Sequence, residues 1–302
     1  MSARRKHLGC SDERVVVNLS SVAEQLTSVP GELHYLSPES TVLRRFTAPG
    51  ASINTGSYDA HVVPIRNARP IQDSFRLDTH GFELVAYPSA VRDFTDRAEL
   101  DEVYIPEVLE FVRERTGADA VVSRGWVLRR SAAAAENASQ PQAALVHIDY
   151  GPEGAAMTAA RVYAEQFPDG PGYRRVLATS VWRVFSGPPQ DWPLALCDFR
   201  SVREDEGLAN QLYFVDRLPE DPLTEPVDES TMVTSGSEFV YSPEHVWWYF
   251  PDMTRDEVLF FVFNDSDHSR AWRVVHTAFR DPTVETATPR HSVEFRTFAF
   301  FT

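Results

Sequence analysis

The chain has 302 residues, with 29 Lys or Arg against 44 Asp or Glu, a net charge of -15. At about 150 residues per domain this length fits two domains or one large β domain, and 43% hydrophobic with 12% aromatic residues excludes disorder as the global state. A chain so acidic, with no basic stripe, is a poor partner for nucleic acid, and its two cysteines, Cys10 and Cys197, exclude a disulfide framework and a cysteine-rich zinc site, which fits a reducing cytoplasm.

The basic Met1 to His7 is followed by residues too polar for a secretory signal. Apolar stretches such as Val258 to Phe263 fall far short of the about 20 residues of a membrane span, so no membrane partner is expected. Residues 1–60 read as an irregular arm packed on the core, with one strand-like run from Arg14 to Leu19, ahead of a single domain over 61–302. Short β-like runs follow at Val62 to Ile65, Phe75 to Asp78 and Phe82 to Val85, broken by Asn67, Pro70, Gly81 and Pro88. Pro106, the apolar stripe of Val108, Leu109, Phe111 and Val112, and Gly117 predict a helix. Ala120 to Val122 resumes a strand, and 131–142 is an Ala/Ser/Asn/Gln loop. A strand is expected over Ala143 to Tyr150, then a helix over Glu153 to Phe167.

Further strands are expected at Val176 to Phe185, Leu194 to Phe199, Gln211 to Val215, Glu238 to Tyr241, Trp247 to Phe250, Val258 to Phe263, Trp272 to Phe279 and Ser292 to Phe301. Regular short strands of this kind predict a barrel or sandwich, a mainly β fold. The acidic, Pro-rich 217–236 segment and the 131–142 loop are lid candidates.

Strand alternation puts His147 and Asp149 on one face and Val146, Ile148 and Tyr150 on the other. That face reads either as solvated polar surface or as a metal-binding His-x-Asp. His276 shares a face with Val274 and Ala278, as a hydrogen-bonded core histidine or as a ligand. Together the three make two imidazoles and one carboxylate, the set that holds non-haem Fe(II) and leaves positions open. Arg290, Ser292, Glu294 and Arg296 share a later strand face, where planar guanidiniums suit the two carboxylates of 2-oxoglutarate. A solvated edge strand is the alternative there.

The order His-x-Asp, distant His, following Arg resembles the Fe(II)/2-oxoglutarate-dependent dioxygenases. Phe75 to Phe82, Val146 to Tyr150, Trp182-Arg183, Pro193 to Asp198, Trp248 to Met253 and His276 to Phe279 followed by Asp281-Pro282 are similar to the fungal gibberellin desaturase-like and AsaB-type hydroxylase/desaturases, a family that includes the bacterial cephalosporin 7-alpha-hydroxylating protein. The resemblance runs from about residue 60 to the C-terminus. It implies a double-stranded β-helix (a jelly roll) with flanking helices, and Fe(II), 2-oxoglutarate and O2 acting on a small specialised metabolite. It implies iron ligands at His147, Asp149 and His276, cosubstrate contacts at Arg290 and Ser292 with Arg296 as second arginine, and a substrate pocket involving Trp182, Arg183 and Arg130. The Arg290-x-Ser292 arrangement resembles other oxygenases of the superfamily, while the Arg290 to Arg296 spacing resembles its nucleic-acid dealkylating branch. The chain departs from the family at Trp126, where a His commonly precedes the Arg129-Arg130 pair, and at Ser180, often Asn. Pocket walls select the substrate, so these departures bear on its identity. A zinc hydrolase using the same three residues, and a non-catalytic β-barrel binding protein, are the rival readings.

Overall fold

A computed structural model describes residues 27–130 and 143–302, so Arg14 to Leu19, Cys10 and the 131–142 loop lie outside the described residues. Among the described residues fifteen strands form two sheets. The small sheet has the order β5 (Phe82–Ala86), β13 (Glu257–Asp265), β8 (Arg175–Val184), β15 (His291–Phe301), β6 (Ala120–Arg130), all antiparallel. The large sheet has the order β1 (Ser28–Leu36), β4 (Tyr58–Asn67), β12 (Trp247–Tyr249), β9 (Leu194–Cys197), β14 (His276–Ala278), β7 (His147–Ile148), β11 (Met232–Glu238), β10 (Leu208–Phe214), β2 (Leu43–Ala48), β3 (Ala51–Asn54).

The main core lies against the small sheet, which is buried on both faces. On one side the helix α1 (Ile105–Thr116) covers it, with Phe111 set edge-on to Phe260. Pro106 stands in the first turn of α1, and Gly117 closes it at φ 68, where its N–H donates back to the Arg113 carbonyl at 2.9 Å. On the other side lies the large sheet, whose strands β14 and β7 carry His276 and His147 as directly paired residues. A second helix, α2 (Pro152–Gln166), follows β7 and packs on β11 and the end of β15 through small residues and Tyr163.

A second core lies on the other face of the large sheet, built from Leu33, Tyr35, Val63, Ile65, Val146, Ile148, Trp247 and Phe279 among others. There the sheet curls back on itself through bridges from His34 to Leu145 and from Leu36 to Val240. Its polar groups are satisfied in series: Trp247 Nε1 donates to the Tyr35 hydroxyl (2.8 Å), which reaches His245 Nδ1 (3.2 Å), whose Nε2 reaches Glu206 (2.8 Å).

Several expectations are corrected. Residues 28–54 are not an irregular arm but three strands, and residue 60 falls inside β4. Phe75 to Asp78 is no strand: the N–H groups of Thr79 and His80 both turn back to the Arg76 carbonyl, and Gly81 follows at φ 88. In Trp272 to Phe279 only His276–Ala278 pairs, because Arg273 is drawn out to the carbonyls of Arg203 and Glu206. Of Ala143 to Tyr150 only His147–Ile148 is strand, and of Glu238 to Tyr241 only Glu238. The irregular part of 217–236 ends at Asp228, before a short 3-10 turn and β11, and it is tied to β2 by Arg44, which donates to the carbonyls of Leu223 and Glu225.

Candidate active site

His147 and His276 face the same side because they are opposed across one antiparallel pair, and Asp149 sits two residues past His147. One ligand atom from each of the three lies within 4.8 Å of the others. Nδ1 of His147 bonds the Leu145 carbonyl at 2.7 Å, and Nδ1 of His276 bonds the Val274 carbonyl at 3.0 Å. Each carbonyl can only accept, so Nδ1 carries the proton and Nε2 keeps its lone pair. Those Nε2 atoms stand 3.8 Å and 3.1 Å from Oδ2 of Asp149. Three acceptors thus converge with no donor among them, an arrangement that a cation completes. Nitrogen and oxygen donors of this number, from two His and one Asp, fit Fe(II) and leave coordination positions open.

The electrostatics hold this state. Burial, then the neighbouring His276, pushes the His147 imidazole down to about 4, so it is neutral near pH 7. Burial alone would raise the Asp149 carboxyl, but the Arg296 guanidinium outweighs it and holds the carboxyl well below the usual range. Arg296 Nη2 donates to Asp149 Oδ1 at 2.6 Å and its Nε donates to Glu294 at 2.5 Å. Burial works against the charge of Arg296, and those two carboxylates reverse the effect and raise it.

His147 and His276 border a narrow cavity whose lining includes Trp182, Phe261, Arg129, Arg290 and Glu294. Arg290 is 1% exposed; its Nη1 donates to the Trp192 carbonyl at 2.7 Å and its guanidinium lies over the Trp182 ring at 5.4 Å. Its Nε and the Ser292 hydroxyl are buried without a partner. Unpaired donors in a buried cationic wall are a cradle for a carboxylate, so the residues present fit 2-oxoglutarate as well as the metal. A larger cavity, about 250 Å³, lies on the α1 side of the small sheet and contains none of these groups; its Arg115 and Arg175 are bonded to Glu83 and Asp265.

The sequence brought together His147, Asp149, His276, Arg290 and Ser292; the fold clusters the first three and lines one cavity with His147, His276 and Arg290, while the Ser292 hydroxyl is buried without a partner. Trp182 lines it too. Arg183, its neighbour on β8, points the opposite way: it is fully buried among the Tyr87, Phe94 and Tyr104 rings and donates to the carbonyls of Tyr87 and Arg255. It is a core cation, not a pocket residue. Arg130 pairs in register with His291, on the face away from the cavity, whereas Arg129 pairs with Ser292 and faces in. Arg296 is occupied by Asp149 and Glu294 and positions the carboxylate, rather than presenting a free fork to the cosubstrate. Alternation along an Arg-Arg pair says that one side chain faces in; only the register against β15 says which. Tyr150, placed by alternation behind His147, instead turns into the main core against Phe263 and Phe298, because the chain leaves the strand at Asp149 to start α2.

The sequence profile described as "Oxidoreductase/YMDC permease-like domain" matches residues 33–300. Among the described residues no helix is long and apolar enough to cross a membrane. The chain is 31% identical to the hydroxylase/desaturase CTB9 of Cercospora beticola over 264 residues, 81% of this chain and 78% of that protein. It is 30% identical to the Fe(II)/2-oxoglutarate-dependent dioxygenase nvfI of Aspergillus novofumigatus, over 83% of this chain and 87% of that one. A solved structure of the iron and alpha-ketoglutarate-dependent endoperoxidase NvfI superposes with a TM-score of 0.75 at 26% identity, covering 91% of this chain and 98% of the other. With the facing jelly-roll sheets and the two-histidine, one-carboxylate site between them, these likenesses establish that the chain belongs to the hydroxylase/desaturase family of Fe(II)/2-oxoglutarate-dependent dioxygenases.

Proposed function

We propose that this oxygenase acts in the cytoplasm on a small specialised metabolite, hydroxylating, desaturating or cyclising it, within a single oxygenase domain that takes in strands β1 to β3 as well as residues 61–302. The observation that carries this reading is the convergence of Nε2 of His147, Nε2 of His276 and Oδ2 of Asp149 beside a cavity lined by both histidines and by Arg290, whose Nε is buried without a partner, as is the Ser292 hydroxyl. In this reading His147, Asp149 and His276 hold the metal, and Arg290 with Ser292 holds the distal carboxylate of 2-oxoglutarate. Bound Fe(II) and 2-oxoglutarate supply, with dioxygen, the oxidant that removes a hydrogen atom from a substrate carbon. The chain's own part is positional. Arg296 fixes Asp149 through Oδ1, and the Leu145 and Val274 carbonyls fix both imidazole tautomers. Trp182 and Phe261 give the cavity an apolar wall that keeps water from the reacting centre.

Narrowness of the cavity and the net charge of -15 favour a small molecule over a polymer of either protein or nucleic acid. A hydrolytic zinc site needs no carboxylate cradle, and the relatives support the oxygenase reading over it and over a binding protein. Anaerobic titration of the metal-free protein with Fe(II) and then 2-oxoglutarate tests the reading through the weak visible charge-transfer band. The band is expected in the wild type, absent in His147→Ala, and shifted to much higher 2-oxoglutarate in Arg290→Ala. Tight Zn²⁺ binding at the same residues with no band would overturn it.

A further inference from the structure

Strand β8 runs through the middle of the small sheet, where Trp182 is opposed in register to Leu259 of β13 on one side and to Glu294 of β15 on the other. Its neighbour Arg183 pins the strand from behind through the carbonyls of Tyr87 and Arg255, so the indole of Trp182 enters the cavity from a fixed point. There it meets the Arg290 guanidinium, whose central carbon lies over the ring at 5.4 Å.

Arg290 is 1% exposed, and burial pushes its guanidinium down to about 9. Among the described residues no carboxylate stands within ion-pair distance of its side chain; its partners are the Trp192 carbonyl, at 2.7 Å from Nη1, and the indole face. Arg296, six residues on, is the contrast, because its donors are committed to Asp149 and Glu294. That difference decides what each arginine can offer a ligand. A carboxylate partner occupies the N–H donors that an incoming carboxylate needs, whereas an aromatic face steadies the charge and leaves donors free. Nε of Arg290 is indeed buried without a partner. A competitor is close, since Glu294 lines the same cavity and its charge acts on Arg290. Without the ring, the guanidinium is free to turn to Glu294, and a ligand must then displace that carboxylate before it can bind.

We propose that Trp182 is a positioning residue for the cosubstrate: its ring keeps Arg290 off Glu294 and open to the distal carboxylate of 2-oxoglutarate, and so sets the preference for a 2-oxo acid with a second carboxylate. This role rests on the cosubstrate site proposed above. It moves Trp182 from the substrate pocket that the family resemblance implies to the grip on the cosubstrate, on which it acts through Arg290.

Loss of a desolvated cation–π contact corresponds to about tenfold in an equilibrium constant. The test is anaerobic titration of the Fe(II)-loaded protein with 2-oxoglutarate and with 2-oxovalerate, which has a methyl group in place of the distal carboxylate. Kd is read from the visible band and from calorimetry. Trp182→Leu is expected to weaken 2-oxoglutarate by about tenfold, to leave 2-oxovalerate within about twofold, and to leave Fe(II) affinity unchanged. Trp182→Phe, which keeps a smaller aromatic face, is expected to fall between the wild type and Trp182→Leu, and it carries the test on the same ratio of affinities if the leucine variant fails to fold. Unchanged 2-oxoglutarate affinity in these variants, or equal weakening of both ligands, overturns the inference, the second because a wall that merely excludes water serves both alike. Absence of any 2-oxoglutarate complex in the wild type would instead overturn the function proposed above.

Discussion

Asp149 has two oxygens with two different neighbourhoods. Oδ1 accepts from Arg296, and Oδ2 lies toward the two imidazoles. The guanidinium therefore favours a carboxylate that binds a metal through one oxygen only, and it keeps the group ionised despite burial. Arg296→Gln keeps a hydrogen-bond donor but removes the charge, and Fe(II) or Mn(II) affinity is expected to drop about 10- to 100-fold in equilibrium dialysis. An unchanged metal affinity would show that Arg296 serves only Glu294. At this scale alternation grouped His147 with Asp149 correctly even though the strand ends at Ile148. It could not show that Arg183 would be taken up by three aromatic rings and two carbonyls, because those partners come from distant segments.

Elements of the chain were legible where local chemistry decides them. Pro106 and Gly117 bracket α1, and the Ala-rich run forms α2 as expected. Elements defined by a partner strand were not: β7 and β14 are two and three residues long, and their identity as strands depends on each other, on β11 for β7 and on β9 for β14. The packing of α2 shows how tight such partner-dependent contacts are. A Cβ at Gly154 would stand 2.2 Å from the Ser235 carbonyl oxygen, backbone against backbone, so Gly154→Ala must displace α2 from β11. A loss of about 2 kcal/mol or more in urea unfolding is expected. The turn that replaces the expected strand at Phe75 to Asp78 carries a pH-dependent element. His80 Nδ1 accepts the Arg76 N–H at 3.1 Å, which requires its lone pair, and burial followed by the Arg200 charge lowers its pKa below the ordinary 6.5. The unfolded chain then takes up the proton first, so this contribution is complete above about pH 6.5 and is lost as pH falls below it. The stability difference between wild type and His80→Gln, followed by urea unfolding from about pH 8 down to about pH 5, is expected to shrink over that interval.

Across the whole molecule the site is a junction. The three side chains proposed to hold the metal come from β7 and β14 in the large sheet and from the turn into α2, while Ser292 and Arg296 come from β15 in the small sheet and Arg290 from the residue before it. Ligands that bridge the two sheets bind the folded state alone. At about 100 times Kd they add about 2.7 kcal/mol, so Mn(II) with 2-oxoglutarate is expected to raise Tm by several degrees and a chelator to reverse the gain. A rise no larger than that given by Mn(II) alone would show that the cosubstrate does not join the sheets.

The strand that closes the back of the large sheet lies far upstream of every metal-facing residue. Tyr35 on β1 terminates the indole of Trp247 and the imidazole of His245. A gene fragment opened at residue 61 would encode all the iron chemistry and yet strip those two buried groups of their partner, cut β4 short and lay bare the rear of the wall that carries His147 and His276. The shortest portable form of this oxygenase therefore begins no later than residue 28, and comparisons that align relatives only over the metal-binding half leave out the buttress on which its geometry leans.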